Sequence, residues 1–343
     1  MLIWMRGEPR ENEARAPMTP KGAAKMLSKG WRVVVEDAPD RCIPTKSYRD
    51  VGCEIVKNGE WVNAPDDAII LGLKELPVDG TPLRRRHIMF GHAFKGQASG
   101  RVLLDRFKSG GGTLLDLEYL VDDTERRVAA FGYWAGYAGA AISVMAWGQQ
   151  QRGRTLGAVS AFASATEMAR SVRASIDIIP TALIIGALGR VGSGAMDLCV
   201  AAGIAPTGWD MAETAHGGPF PEVLTHDILL NCILAHKGAP VFVPADARTA
   251  ARKLSVIGDI ACDPDSDFSP IKVYNTATTW DMPTLRAHDT PPLDVMAIDN
   301  LPSLLPVEST DDFASQLLPH LLTLDRPEAG VWGRAQKTFA AHL

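Results

Sequence analysis

The chain has 343 residues, 46% of them hydrophobic and 22% charged, with 35 Lys plus Arg against 40 Asp plus Glu for a net charge of −5. At about 150 residues per domain, that length suits two domains, each large enough for its own core. The mildly acidic balance argues against a nucleic-acid binder, which carries a basic excess or stripe, so the run Arg84-Arg85-Arg86 reads as a solvated loop.

In chain order, residues 2–6 read as a strand and Pro20–Ser28 as a helix opened by proline and closed by Gly30. Strands follow over 31–36 and 53–56, then two strong runs over 68–74 (AIILGLK) and 87–92 (HIMFGH). A helix is expected over 98–108 and a further strand over 113–120. Strands alternating with helices give an α/β domain with a largely parallel sheet. Residues 128–148 form an uncharged run of 21, long enough for a bilayer, but Gly and Ala dominate it and favour a buried helix between two domains. A polar linker over 152–160 and a helix over 164–175 come next. The second domain then opens with a buried strand over 181–185, a helix over 193–202, and strands over 207–210, 227–234 and 254–260. The tail is helical over 311–324 and 328–342.

The five cysteines, Cys42, Cys53, Cys199, Cys232 and Cys262, are odd in number, widely spaced and without a CxxC. No disulfide framework or metal site is expected, and a reducing cytoplasm is the natural setting. The start, MLIWMRGE, meets charge too soon for a signal peptide. His216, His226 and His236 sit ten residues apart without an HExxH, and read as surface or cap residues.

The segment TALIIGALGRVGSGAMDLC runs from a buried strand through Gly186, Gly189, Gly192 and Gly194 into a helix. That context suits pyrophosphate: glycines allow close backbone approach, and the helix N-terminus offers N–H groups and partial positive charge. The register is irregular, with Ala187 where GxGxxG has its first glycine, and a tight turn without a ligand fits the motif alone. Asp210 ends the next strand, 18 residues past Gly192, where a carboxylate accepts the adenosine ribose hydroxyls. Met211-Ala212-Glu213 follows it without a basic residue, which favours NAD over NADP.

In the first domain, two apolar runs end in ionisable residues, Lys74 and His92. If their strands are parallel neighbours, both stand at the carboxyl edge of the sheet, where α/β folds place ligands. A lysine tuned by its surroundings and a histidine are suited to acid–base work. The same pattern also fits a lysine paired with Glu75 and a hydrogen-bonded edge histidine. Arg15, Arg126 and Arg127 are forked donors of the kind that a substrate with several carboxylates needs, though each taken singly reads equally as a surface arginine.

The blocks EARAPMTP, ILGLKELP, HIMFGHAFKGQ, GTLLDLEYL, RRVAAFGYWAGYAGAA, IIGALGRVGSGA, GGPF, NCI and IDNLPSLLP occur in this order. Together they make the chain resemble the NAD-dependent, lysine-forming saccharopine dehydrogenases over nearly its whole length; alanine dehydrogenase and transhydrogenase are their relatives. The resemblance implies oxidative deamination of saccharopine to L-lysine and 2-oxoglutarate with NAD as cofactor, through hydride transfer, imine formation and hydrolysis. It implies that Lys74 takes the proton of the secondary amine and that His92 activates water. Glu75 and Glu118 match acidic residues that tune the site, and Arg15, Arg127 and the Phe131 backbone match groups that hold the dicarboxylate. Gly186, Leu188, Gly189, Arg190, Val191, Gly192 and Asp210 match the NAD site, with Cys232 and Ile233 of NCI beside it. Asp299 and Leu301 match the nicotinamide end. Val191 stands where some members have a cysteine that pairs with the NCI cysteine.

The implied fold is α/β, two Rossmann-like domains with parallel sheets and an interdomain cleft. The NAD domain (131–319) is inserted in a substrate domain made of 1–130 plus 320–343. The expected partners are small molecules, with no nucleic acid and no membrane, in a monomer or small homo-oligomer. Two other readings stay open: an opine-type dehydrogenase joining 2-oxoglutarate or another oxoacid to a different amine, and a non-catalytic NAD-binding regulatory protein.

Overall fold

Short apolar runs build two six-stranded sheets, because strands covered by helices on both faces need no polar alternation. The computed structural model describes every residue except Gln97, Ala235 and Asp265. It divides into two compact units, Met1–Ala130 with Pro306–Leu343, and Phe131–Leu305.

The first unit starts with β1 (Leu2–Met5), α1 (Pro20–Ser28), β2 (Arg32–Asp37), α2 (Thr45–Asp50) and β3 (Glu54–Lys57). It continues through β4 (Ala68–Leu71), β5 (Arg86–Met89), α3 (Ala98–Gly110) and β6 (Thr113–Asp116). The sheet order is β3-β2-β1-β4-β5-β6 and every pair is parallel. Because β1 lies between β2 and β4, the order reverses beside it, which opens a crevice at the carboxyl ends of β1 and β4. The strands expected over 68–74 and 87–92 stop at Leu71 and Met89, so Lys74 and His92 stand three residues past their strands, in the loops that line this edge.

The second unit starts with α4 (Gly132–Gln151), α5 (Ala165–Ser175), β7 (Ala182–Ile185), α6 (Arg190–Ala201), β8 (Thr207–Trp209) and the short α7 (Met211–Thr214). It continues with β9 (Ile228–Asn231), β10 (Val256–Asp259), β11 (Leu285–His288) and β12 (Leu293–Met296). The order is β11-β12-β10-β9-β7-β8, parallel except for the antiparallel edge strand β11. Helix α6 starts at Arg190, three residues before the expected 193, because Gly189 already serves as its N-cap.

The uncharged run forms α4, with thirteen of its twenty residues buried. Among the described residues no helix is long and apolar enough to cross a membrane. Its glycines have a packing reason. A Cβ at Gly136 would lie 1.8 Å from the Val191 carbonyl oxygen, and one at Gly194 would lie 1.9 Å from that of Tyr133. Helices α4 and α6 therefore meet backbone to backbone at two bare glycines.

The chain then returns to the first unit through α8 (Pro306–Leu321) and α9 (Gly330–His342). The return begins at Pro306 where 320 was expected, because all of α8 packs there. Thr310 Oγ1 accepts the Ala16 N–H at 3.0 Å, and the Phe313 ring packs at a tilt against Phe90, 5.9 Å between centroids. Phe339 of α9 meets Phe107 edge-on at 5.7 Å.

Candidate active site

The carboxyl edge of the first sheet gathers charge from four strands. From β4 come Lys74 and Glu75, from β5 His92, from β6 Asp116 and Glu118, and from β1 Arg6 and Glu8. The loops past β4 and β5 stay paired: Gly72 N–H donates to the Ile88 carbonyl at 2.9 Å, and Phe90 N–H to that of Leu73 at 2.8 Å. Lys74 and His92 are thus carried by two arms tied together, as the parallel-neighbour argument required.

His92 Nδ1 donates to Glu118 Oε2 at 3.0 Å, and its Nε2 lies 3.8 Å from Glu75 Oε1. Since an ionised carboxylate only accepts, Nδ1 keeps its proton and Nε2 becomes the nitrogen that exchanges one. The hydrogen bond to Glu118 raises the His92 pKa against the opposing effect of burial. Glu118 is held down to about 2, chiefly by that bond and further by Lys95, whose Nζ sits 2.7 Å from Oε1. Arg127 Nη2 stands 3.8 Å from the same oxygen. His92 adopts a left-handed φ of +48°, which few non-glycine residues do, and such backbone outliers cluster at functional sites.

Arg15 is buried and its Nε–Nη2 edge is gripped by Glu13, at 2.8 Å to Oε1 and 2.6 Å to Oε2. One of the two faces on which a guanidinium holds a carboxylate is therefore already engaged. Burial alone would raise the Glu13 pKa, but Arg15, and at longer range Lys74, bring it below its ordinary value. Glu13 was missed in the sequence, as were Glu8, Lys95 and Asp116. Asp116 is 1% exposed and burial raises its pKa; as the last residue of β6, it accepts the Glu118 N–H on its Oδ1 at 2.9 Å. For Asp116 the signal was present, an acidic residue ending an apolar strand run (TLLD); Glu8 and Glu13 lie in a polar segment that contains several carboxylates.

In the second unit, Gly186 leaves β7 with φ +80°, and its N–H and that of Ala187 donate to the Trp209 carbonyl at 2.8 and 3.0 Å. Gly189 N–H closes the turn on the Gly186 carbonyl at 3.0 Å. A Cβ on Gly192 would come within 2.1 Å of that carbonyl oxygen, so only glycine lets α6 start against the turn. Leu188 and Arg190 are exposed, with Val191 half-buried between Gly189 and Gly192. Asp210 follows β8, and its Oδ2 accepts the Leu188 N–H at 3.0 Å. Cys232 and Ile233 follow β9 and flank the turn: a Cβ on Gly186 would meet Ile233 Cγ2 at 2.7 Å and the Cys232 carbonyl at 3.3 Å. Asp299 is exposed beyond β12, while Leu301 is buried against α4, near Gly139. The backbone amides at the start of α6 with the bare glycines can hold a pyrophosphate, and Asp210 a ribose. The order of this sheet reverses beside β7, where these groups gather. Phe131, the second unit's first residue, accepts the Ala135 N–H at 3.0 Å and caps α4. Among the described residues no three His, Cys, Asp or Glu side chains are grouped to hold a metal, and all five cysteines are free thiols.

The model of the alanine dehydrogenase/PNT N-terminal domain matches residues 4–138. A protein of Yarrowia lipolytica named saccharopine dehydrogenase (NAD(+), L-lysine-forming) is 44% identical across 99% of this chain and 97% of its own length. One of the same name from Emericella nidulans is 43% identical across 98% of this chain and 96% of its own. The chain belongs to this saccharopine dehydrogenase family. Among solved structures, an L-alanine dehydrogenase superposes over 99% of this chain and 94% of its own with a TM-score of 0.71 at 16% identity. That likeness carries the two-sheet α/β, Rossmann-like fold.

Proposed function

We propose that this saccharopine dehydrogenase family member is an NAD-dependent oxidoreductase that converts saccharopine and water to L-lysine and 2-oxoglutarate. The supporting observation is the charged edge of the first sheet, where His92, held by Glu118, stands on an arm tied to that of Lys74. Membership of a family whose curated members carry that activity in their names supports the same reading. In this reading the first unit binds substrate and the second binds the dinucleotide through Gly186–Gly192, Asp210 and the Cys232–Ile233 segment. When bound, the nicotinamide supplies the hydride acceptor.

The chain's own residues do the proton work. Lys74 takes the proton of the substrate's secondary amine, so that the carbon beside it can lose hydride and become an imine. His92 Nε2 removes a proton from the water that attacks the imine carbon, and its protonated form returns one to the departing lysine amine. Glu118 fixes the imidazole tautomer for that exchange. Arg15 and Arg127 hold the glutarate carboxylates. The deciding measurement is NADH oxidation with 2-oxoglutarate across a panel of amines. Lysine should give the highest kcat/KM; a different amine in first place would assign the chain to another opine-forming reaction.

A further inference from the structure

Directly after β1, Arg6 and Glu8 form an ion pair at 3.2 Å whose side chains are only 1% and 5% exposed. A buried pair is a poor source of net stability, since desolvation offsets its attraction. Its value lies in what it holds, which is the peptide of Lys74. Glu8 Oε1 accepts the N–H of Leu73 at 2.7 Å, and Oε2 accepts that of Lys74 at 2.8 Å. Arg6 Nη2 donates to the Lys74 carbonyl, while Nη1 donates to the Gly7 carbonyl at 3.0 Å. The guanidinium lies flat on Gly72, where a Cβ would come within 2.4 Å of Nε. Both backbone polar groups of Lys74 are therefore engaged by one buried pair. A lysine in place of Arg6 has no planar fork with which to reach two carbonyls and a carboxylate together.

We propose that Arg6 and Glu8 are positioning residues that fix the Lys74 backbone and so set where its amine meets the substrate. The proposal deepens the function given above and rests on Lys74 as an acid–base group. A misplacement of ~1 Å at a reacting group costs on the order of 100-fold in rate, and the four-carbon stem of lysine passes any shift of its root on to the amine.

The test is a double-mutant cycle on the full chain. Glu8→Gln removes the charge and presents an NH2 group to one of the two amides; Gly72→Ala pushes Arg6 off the Lys74 carbonyl without removing any charge. Each should lower kcat by tenfold to a hundredfold, leave the NADH dissociation constant within twofold, and change KM for lysine by less than threefold. In a Lys74→Met background, each should cost less than a further twofold. Full, additive losses in that background would overturn the proposal and leave the pair a purely structural role. Folded single variants with wild-type kcat would overturn it too. Near-normal turnover by Lys74→Met alone would instead refute the acid–base reading, and the positioning role with it. If Glu8→Gln does not fold, Gly72→Ala and Arg6→Lys carry the cycle, and failure of all three to fold would assign the pair to the fold.

Discussion

At the scale of single residues, the His92–Glu118 hydrogen bond couples the protonation of the histidine to that of the carboxylate. The histidine is raised above its ordinary 6.5 by the carboxylate, and the carboxylate is lowered from 4.5 to about 2 by the histidine. A raised histidine contributes stability that is complete below 6.5 and lost as pH climbs through its elevated folded value. A lowered carboxylate contributes stability present above 4.5 and lost as pH falls through about 2. The stability gap between wild type and Glu118→Gln should therefore be widest between 4.5 and 6.5 and narrow on either side, as read by urea titrations across that range. In the same variant the His92 pKa should fall, which under the proposed acid–base role moves its limb of the rate profile to lower pH; NMR titration of the ring checks it directly. An unmoved ring pKa would show that Glu118 does not tune His92. Removing both proposed acid–base groups, by Lys74→Met with His92→Gln, should abolish most turnover while NADH fluorescence still reports binding. Near-normal turnover in that double variant would take the proton-transfer role away from both residues.

At the scale of elements, the helix crossing and the glycine turn are the points of least tolerance. A Cβ at Gly194 would sit 1.9 Å from backbone, and α4 and α6 would have to part along buried surface. Overpacking of this kind costs about 1–3 kcal/mol, so Gly194→Ala should lower the urea midpoint with little change in slope; an unshifted midpoint would mean the helices can slide apart freely. Gly192→Ala should weaken NADH by tenfold or more in a fluorescence titration, since the Gly186 carbonyl or the start of α6 must move. The elements best read from sequence were those with one dominant signal, such as Pro20–Ser28, whose N-cap Thr19 accepts the Gly22 N–H at 3.3 Å. β12 escaped because Asp294 interrupts its apolar run. That aspartate is buried only because Arg286 and Gln150 donate to it, at 2.5 and 2.7 Å. β11 is a partly exposed edge strand with no apolar pattern to find. In the candidate site, the strand-end residues Lys74, His92 and Asp210 were legible because ionisable groups after apolar runs mark a sheet edge. Arg6 and Glu8 were not, because their significance lies in partners that folding brings from 65 to 68 positions away, and Glu13, though two residues from Arg15, lies in a segment with several carboxylates.

At the scale of the whole molecule, the two units give one chain two sheets, each with its own order reversal. A ligand held only by the second unit stabilises that unit by mass action, about 2.7 kcal/mol at a concentration one hundred times its dissociation constant. Saturating NADH should therefore slow amide hydrogen exchange in the strands of 131–305 well before those of 1–130. Equal protection throughout both units would overturn the assignment of the dinucleotide to the second unit alone.

The return of the chain at Pro306 also sets an order of manufacture. On the ribosome, residues 1–130 emerge before 131–305 with all six strands of their sheet, yet the faces that Phe313 and Phe339 cover stay open. The intervening 131–305 must be made before those helices exist, a delay of roughly 10–35 s at ~5–20 residues per second. The inserted unit can close while the first waits, so of the two units the one begun earlier is completed later. During that interval Phe90 and Phe107 are a nascent-chain liability, and a chaperone that shields them would raise the yield of folded enzyme.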